Sequence, residues 1–379
     1  MKAATTILVF SVAALLALGM VMLYSASMIQ VGARYLMMQL VWCGLGLVAC
    51  GVAASVDYRL LKKVSLVILA ISVVLLIVVL IPIPNICRKI NGARRWLDFG
   101  GFRIQPSELA KLAVIIFLAH YGDRYLRQMN QLKRGVLIPL AVVGSVLGLI
   151  FLEPDVGTMM LIAAVSAVML LVAGLRWRYF IPPIMAGLLL IGFFLWKDPV
   201  RSERIYSWLN LEETKQGKGH QAYQAMVALG AGGWTGLGLG NGRQKHGFVP
   251  EHHTDFIFSI IGEELGLAAT MGIVAAFALV ILCGMFISSR APDTFGLLLG
   301  TGVTFMIGIQ AFINIGVVTG ALPNKGMPLP FISYGGSNLL VMLCSVGLLL
   351  NIARHGVIHA KLPKRHNPFE DLPAAQEAA

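Results

Sequence analysis

Polar residues in this chain do not alternate with apolar ones but punctuate long apolar runs. Runs of about 20 residues are long enough to cross a bilayer. They predict helices over 5–24, 36–55, 63–83, 106–121, 136–152, 156–174, 177–196, 256–287, 294–319 and 332–353. Short alternating strands are missing from the pattern, which favours helices over a barrel as the way to satisfy every backbone group in lipid. The expected fold class is an all-α integral membrane protein of about ten transmembrane helices. The first run follows Lys2 and leads to Ser25-Ala26-Ser27, the outline of a cleavable signal. It is read as an uncleaved first helix, because many further spans follow and need an entry point.

Composition sharpens this picture. Of 379 residues, 57% are hydrophobic and 13% charged, whereas globular domains carry about twice that charge. That leaves no room for a sizeable soluble module, so 1–360 reads as one membrane domain and 361–379 as a polar, disordered cytoplasmic tail. Cys43, Cys50, Cys283 and Cys344 lie in apolar runs and act as small hydrophobes. Cys87 stands alone in a loop, and no spacing suggests a disulfide framework or zinc.

Charge then sets an orientation. One set of connections carries Arg59, Lys62, Lys63, Arg124, Arg127, Lys133, Arg134, Arg176, Arg178 and Arg290, and the C-terminal end adds Arg354, Lys361, Lys364 and Arg365. The positive-inside rule makes these connections and both termini cytoplasmic. The other connections face outward, and three are unusual, near 84–105, 197–255 and 320–331. The first holds Arg88, Lys89, Arg94, Arg95 and Arg103. The second holds Arg201, Arg204, Lys215, Lys218, Arg243 and Lys245, and the third Lys325. A basic outer face suits an anionic ligand, and anionic lipid headgroups are the alternative.

Charges at the rim of a span are costly and so are candidates for function. Glu108 and Lys111, three apart, share a helix face and can pair. Gln105-Pro106-Ser107-Glu108 is also a plain helix start. In Val249-Pro250-Glu251-His252-His253-Thr254-Asp255-Phe256 polar groups gather where the long loop re-enters the membrane, with Glu263 and Glu264 following. A carboxylate there gains basicity by desolvation. A metal site is the weaker reading, because adjacent histidines point apart, and a helix cap by Thr254 or Asp255 is the local one. The glycine-rich run 230–242 lacks both the P-loop and the GxGxxG pattern. It reads as a flexible or close-packed outer segment, after which Arg243 and Lys245 can still meet phosphate. The segment 322–337 is dense in proline, glycine and hydroxyls, including Ser333 and Ser337, and offers Lys325 to an anion. Irregular backbone at that depth belongs next to a cavity or inside protein.

Residues 249–266 and 322–339 resemble the SEDS (shape, elongation, division, sporulation) membrane proteins. Further matches are Leu23-Tyr24-Ser25-Ala26-Ser27, Arg95-Trp96-Leu97-Asp98, the stretch 105–111 and Glu153-Pro154-Asp155-Val156-Gly157-Thr158. They run in order along nearly the whole chain. Asn324-Lys325-Gly326 and Gln244-Lys245 are closer to the division branch than to the elongation branch. The resemblance implies a ten-helix bundle that polymerises lipid II as a peptidoglycan glycosyltransferase. It implies a divalent cation, Mg or Mn, and a class B penicillin-binding transpeptidase as partner, with other division proteins around it and no nucleic acid.

On that resemblance Asp255 is the catalytic aspartate, acting as general base, and Lys325, Glu108 and Lys111 are motif residues of the site. Lys325, Arg94, Arg95, Arg243 and a bound cation are candidates for stabilising the departing pyrophosphate, and Lys245 is a further candidate for contact with phosphate. Trp96 is a candidate for packing the lipid, or else a member of the interfacial aromatic belt. Three positions depart from the family pattern: Gly242 and Asn338 where hydroxyl residues are common, and 211–216 without its usual proline. The competing class is a lipid II transporter, in which Glu108, Lys111, Glu263, Glu264, Gln310 and Asn314 would line a path.

Overall fold

The computed structural model describes residues 1–28, 32–84, 86–87, 93–100, 102–197, 199–217, 219–244 and 254–361. Each of the ten apolar runs forms a helix. These are α1 (Lys2–Ser27), α2 (Arg34–Ser55), α3 (Leu60–Leu80), α4 (Pro106–Arg124), α5 (Ile138–Leu152), α6 (Val156–Val172) and α7 (Trp177–Lys197). After α8 (Pro199–Leu209) and α9 (His220–Gly232) come α10 (Ile257–Ser289), α11 (Thr294–Val318) and α12 (Gly336–Lys361). Among the described residues, seven helical stretches are long and apolar enough to cross a membrane: α1, α2, α3, Leu132–Leu152, α10, α11 and Gly336–Ile358. The apolar helix α6 is shorter.

One hairpin and two helices were not expected from the hydrophobic pattern. The loop 84–105 contains an antiparallel hairpin, β1 (Leu97–Phe99) with β2 (Phe102–Ile104), in which Asp98 faces Arg103. The long loop contains α8 and α9, whose mixed polar sequence gives no span-length run. The tail 362–379 lies outside the described residues.

The helices α4 and α11 form the centre. α4 packs on α3, α11 and α6, while α11 packs on α10, α4 and α6. Ala110, Val114, Ile115, Ile116, Phe117 and Leu118 of α4 are all buried, as expected of a helix apolar on every side. By contrast Phe10, Val48 and Leu66 of α1, α2 and α3 are exposed on the outside of the bundle.

α10 is broken. Gly266 has φ +75° inside it, so the helix is interrupted there. The carbonyls freed by the break are taken up by the glycine-rich run: Leu237 N–H donates to Glu263 O at 2.9 Å and Gly238 N–H to Glu264 O at 3.0 Å. Below the break, Leu267 N–H donates to Gly233 O at 2.8 Å. A Cβ at position 266 would lie 2.4 Å from Gly236 N, so both the conformation and the space require glycine.

At one end of the bundle a surface network ties four helices together. Asp293 accepts from Tyr58 Oη and Arg59 Nε, both at 2.9 Å. Lys62 pairs with Asp123 at 2.8 Å, and His355 lies 3.7 Å from Asp57. Burial pushes the Asp293 carboxyl up, but the Gly296 amide, Tyr58 and Arg59 outweigh it and hold its pKa below the ordinary value.

Candidate active site

The opposite end gathers the starts of α4, α6, α10 and α12 and the end of α11. Pro106 occupies the first turn of α4, where its missing N–H costs nothing. Glu108 and Lys111 follow on one face and pair at 2.7 Å, with side chains 4% and 2% exposed. A buried ion pair is tolerated only when its remaining donors and acceptors are satisfied. Asn338 Nδ2 donates to Glu108 Oε2 at 2.8 Å, and Lys111 Nζ donates to Gln310 Oε1 at 2.8 Å. The pair therefore joins α4 to α11 and α12.

Asp155 caps α6, accepting from Thr158 N–H at 3.2 Å, and its other oxygen accepts from Gln105 Nε2 at 3.1 Å. Arg95 reaches the turn before it, donating to Glu153 O at 2.9 Å and Pro154 O at 2.6 Å. The Glu153 side chain is fully buried with both carboxyl oxygens unpartnered. Burial, with help from Asp155 and against Arg95, pushes its pKa up to about 8. At neutral pH it is mostly a neutral acid.

Asp255 stands just before α10 and is half-buried. Its carboxylate lies so close to the 322–331 loop that a Cβ on Gly326 would sit 2.8 Å from Oδ2. The same loop carries Lys325, whose Nζ lies 2.8 Å from Met160 Sδ on α6. The loop is anchored from below by α11: Gln310 Nε2 donates to Pro328 O at 2.9 Å, and Asn314 Nδ2 donates to Met327 O at 2.7 Å.

Glu263 and Glu264 are buried beneath the glycine-rich run and serve as its anions. Glu264 Oε2 accepts from Ser25 Oγ at 2.6 Å and Gly240 N–H at 2.9 Å, and Oε1 from Gly242 N–H at 3.3 Å. Glu263 Oε1 accepts from Arg243 N–H at 2.8 Å and Gln244 N–H at 3.3 Å. The run does have the amide-lined concavity of an anion cradle, but the protein fills it with its own carboxylates. A Cβ at 242 would lie 2.9 Å from Glu264 Oε1, which accounts for glycine at this departure from the family pattern.

The structure thus brings together Asp255, the loop carrying Lys325, Glu108 and Lys111. Arg95 lies beside this group on the Glu153–Asp155 turn. Arg94 and Trp96 are half-buried in the segment before β1, and Arg243 is exposed. Lys245, Glu251, His252 and His253 lie outside the described residues. The two serines are buried and engaged within the protein. Ser333 Oγ accepts from Leu329 N–H at 2.8 Å, and Ser337 Oγ accepts from Gln105 N–H at 3.4 Å. Asn338, at a departure from the family pattern, contacts Glu108 directly. Gln310 and Asn314, two residues of the supposed path, hold loop backbone. Asp155 and Glu153 were visible only as part of a matching motif, since burial and capping depend on the tertiary contacts.

Among the described residues no three His, Cys, Asp or Glu side chains gather as a metal would require. They offer no protein cage for a divalent cation. They fit the looser arrangement of Mg²⁺, which keeps waters and substrate phosphates and needs as few as one carboxylate, for which Asp255 would be the donor.

This geometry defines a polytopic helical membrane protein with buried acidic and cationic groups collected at one end of its bundle. The family described as "Cell cycle protein", FtsW, RodA and SpoVE, matches residues 6–357, and the chain belongs to it. A probable peptidoglycan glycosyltransferase FtsW of Trichlorobacter lovleyi is 40% identical over 353 residues, covering 92% of this chain and 92% of that protein. Stage V sporulation protein E of Bacillus subtilis is 40% identical over 348 residues, covering 90% and 94%. A chain from a peptidoglycan synthase complex that coordinates polymerization and crosslinking superposes with a TM-score of 0.78 at 30% identity, covering 92% and 97%. The rod shape determining protein RodA of Thermus thermophilus gives 0.67 at 29% identity, covering 92% and 95%.

Proposed function

We propose that this protein is a peptidoglycan glycosyltransferase that polymerises lipid II during cell division. The observation that carries the reading is the seating of the Asp255 carboxylate against Gly326, in the loop that also bears Lys325. Relatives named as peptidoglycan glycosyltransferases, alike over nine-tenths of the chain, support the activity. In this reading α4, α6 and α7 also cross the membrane, giving ten spans. Both termini are cytoplasmic and the Asp255 end faces outward, in accord with the basic cytoplasmic connections.

Asp255 acts as general base. It takes the proton of the acceptor GlcNAc 4-hydroxyl while that oxygen bonds to the donor MurNAc anomeric carbon. The bond from that carbon to undecaprenyl pyrophosphate breaks in the same displacement, inverting the centre. Lys325, Arg94, Arg95 and Arg243 are the cations proposed to stabilise the departing charge. A divalent cation would supply further charge on the diphosphate. The buried Glu108–Lys111 pair holds the helices that support the loop. A class B penicillin-binding transpeptidase is the proposed partner, in keeping with the synthase complex to which the fold is similar.

The transporter reading is weakened by the engagement of Lys111, Glu108, Gln310, Asn314, Glu263 and Glu264 in protein contacts, which leaves them unsuited to line a path. The test is polymerisation of labelled lipid II on a glycan gel, with the transpeptidase and Mg²⁺ or Mn²⁺ present. Wild type should make polymer, and Asp255→Asn should lose roughly 10²–10⁴ in rate while remaining folded. Polymer from Asp255→Asn at the wild-type rate would remove Asp255 as the base, and none from either protein would move the reading to transport.

A further inference from the structure

Asn314 sits near the end of α11 with 2% of its surface exposed. Its carboxamide nitrogen donates to two backbone carbonyls at 2.7 Å each, those of Asp255 and Met327. These carbonyls belong to different segments of the chain, one leading into α10 and the other in the 322–331 loop. A primary amide has two N–H donors on one nitrogen, and both are committed here. Its oxygen, Oδ1, is buried and has no partner. The site therefore uses the side chain as a double donor and makes no use of its acceptor.

One turn earlier on the same face, Gln310 bonds Pro328 O and accepts from Lys111. The two amides form a ladder from the buried ion pair up to the loop. Asn314 joins the loop to the Asp255 backbone, and on that side the Asp255 carboxylate sits close against Gly326. Any change in the spacing of the two carbonyls moves the carboxylate relative to Lys325.

We propose that Asn314 is the positioning residue of the base: its double donation fixes Asp255 against the 325–328 loop and so sets the geometry of proton abstraction. The inference rests on the reading of Asp255 as base. Asn314 does not touch the reacting atoms. It acts by holding two backbones in register, and a displacement of about 1 Å at such a site is enough for a 10²-fold loss of rate.

Steady-state polymerisation of labelled lipid II tests this with full-length protein and its transpeptidase partner. The comparison set is wild type, Asn314→Gln, Asn314→Leu, Asp255→Asn and the double variant Asp255→Asn/Asn314→Leu. Asn314→Leu removes both donors while keeping the number and branching of side-chain heavy atoms, and should lower kcat about 10²-fold, with KM little changed. Asn314→Gln keeps the donors but shifts them by one methylene and should fall in between. As the cationic loop slips from the carboxylate, the acid limb of the kcat–pH profile should move to higher pH. The double variant should be no slower than Asp255→Asn alone.

Wild-type kcat and an unmoved acid limb in folded Asn314→Leu would overturn the proposal. So would a loss confined to KM, or a loss that simply tracks the folded fraction. If Asn314→Leu does not fold, Asn314→Gln decides, and wild-type kcat with an unmoved limb in that variant overturns the proposal as well. If Asp255→Asn polymerises normally, the base assignment itself fails, an outcome separate from any result at Asn314.

Discussion

The two ends of the bundle handle charge in opposite ways. At the end bearing Asp293 the ion pairs are partly in water: Arg59 and Asp293 side chains are 46% and 22% exposed, and Lys62 and Asp123 29% and 25%. At the Asp255 end Glu108, Lys111, Glu263 and Glu264 are all buried, the Glu108 and Lys111 side chains being 4% and 2% exposed, and backbone and side-chain amides supply many of their partners. Exposed pairs contribute about 0–1 kcal/mol each. Breaking one partner of a buried pair costs about 3–5 kcal/mol, because the other charge is left stranded. One end is therefore fastened by replaceable surface pairs, while the other is built as a rigid polar core whose members depend on one another.

The strongest way to break this contrast is Lys111→Met. It strands Glu108 and should cost about 3–5 kcal/mol, read as a large drop in thermal unfolding temperature of the detergent-solubilised protein. A drop no larger than that of a surface pair would remove the distinction between the two ends. Next in size is Glu264→Gln, which turns an NH₂ group toward the amide of Gly240 or Gly242. It should cost about 1–3 kcal/mol and speed limited proteolysis within 233–244.

Glu153→Gln sharpens the contrast with a smaller effect of opposite sign. The folded Glu153 pKa, about 8, lies above the ordinary carboxyl value of 4.5. The unfolded chain thus loses that proton first, and wild-type stability falls as pH rises from about 4.5 through about 8, then levels. Below that window the variant should match wild type or fall slightly under it, since its buried amide is also unpartnered. Above the window it should unfold at a higher temperature. Equal pH slopes for the two proteins would rule out a buried neutral acid at 153. The smallest effect belongs to Arg59→Ala, below about 1 kcal/mol and diminished further by salt.

Much of the fold was legible because span-length apolar runs mark helices without any knowledge of their neighbours. The break at Gly266 was not, since apolar residues continue through it and a φ of +75° leaves no trace in hydropathy. α8, α9 and the β1–β2 hairpin escaped for a related reason: they are held by tertiary contact and lack a periodic signal of sufficient length. In the site, the three-residue spacing of Glu108 and Lys111 announced a pair, and the structure contains it. The same spacing logic could not say what Gln310 and Asn314 face. Polar groups in a helix look alike whether they line a path or hold a loop, and only the carbonyls opposite them decide. The glycine-rich run showed its capacity for an anion, yet that anion lies about twenty residues later in the same chain, a pairing that no local pattern encodes.

The interruption at Gly266 has a mechanical consequence. Asp255 is mounted on a short rod, Ile257–Leu265, about 13 Å long at 1.5 Å per residue, and that rod is lashed to the glycine-rich run. The longer rod, Leu267–Ser289, meets it across a joint. The glycine-rich run is bonded on both sides of that joint, through Leu237 and Gly238 on one side and Gly233 on the other, so it splints the two rods at a set angle, as a bracket holds a bend in a pipe.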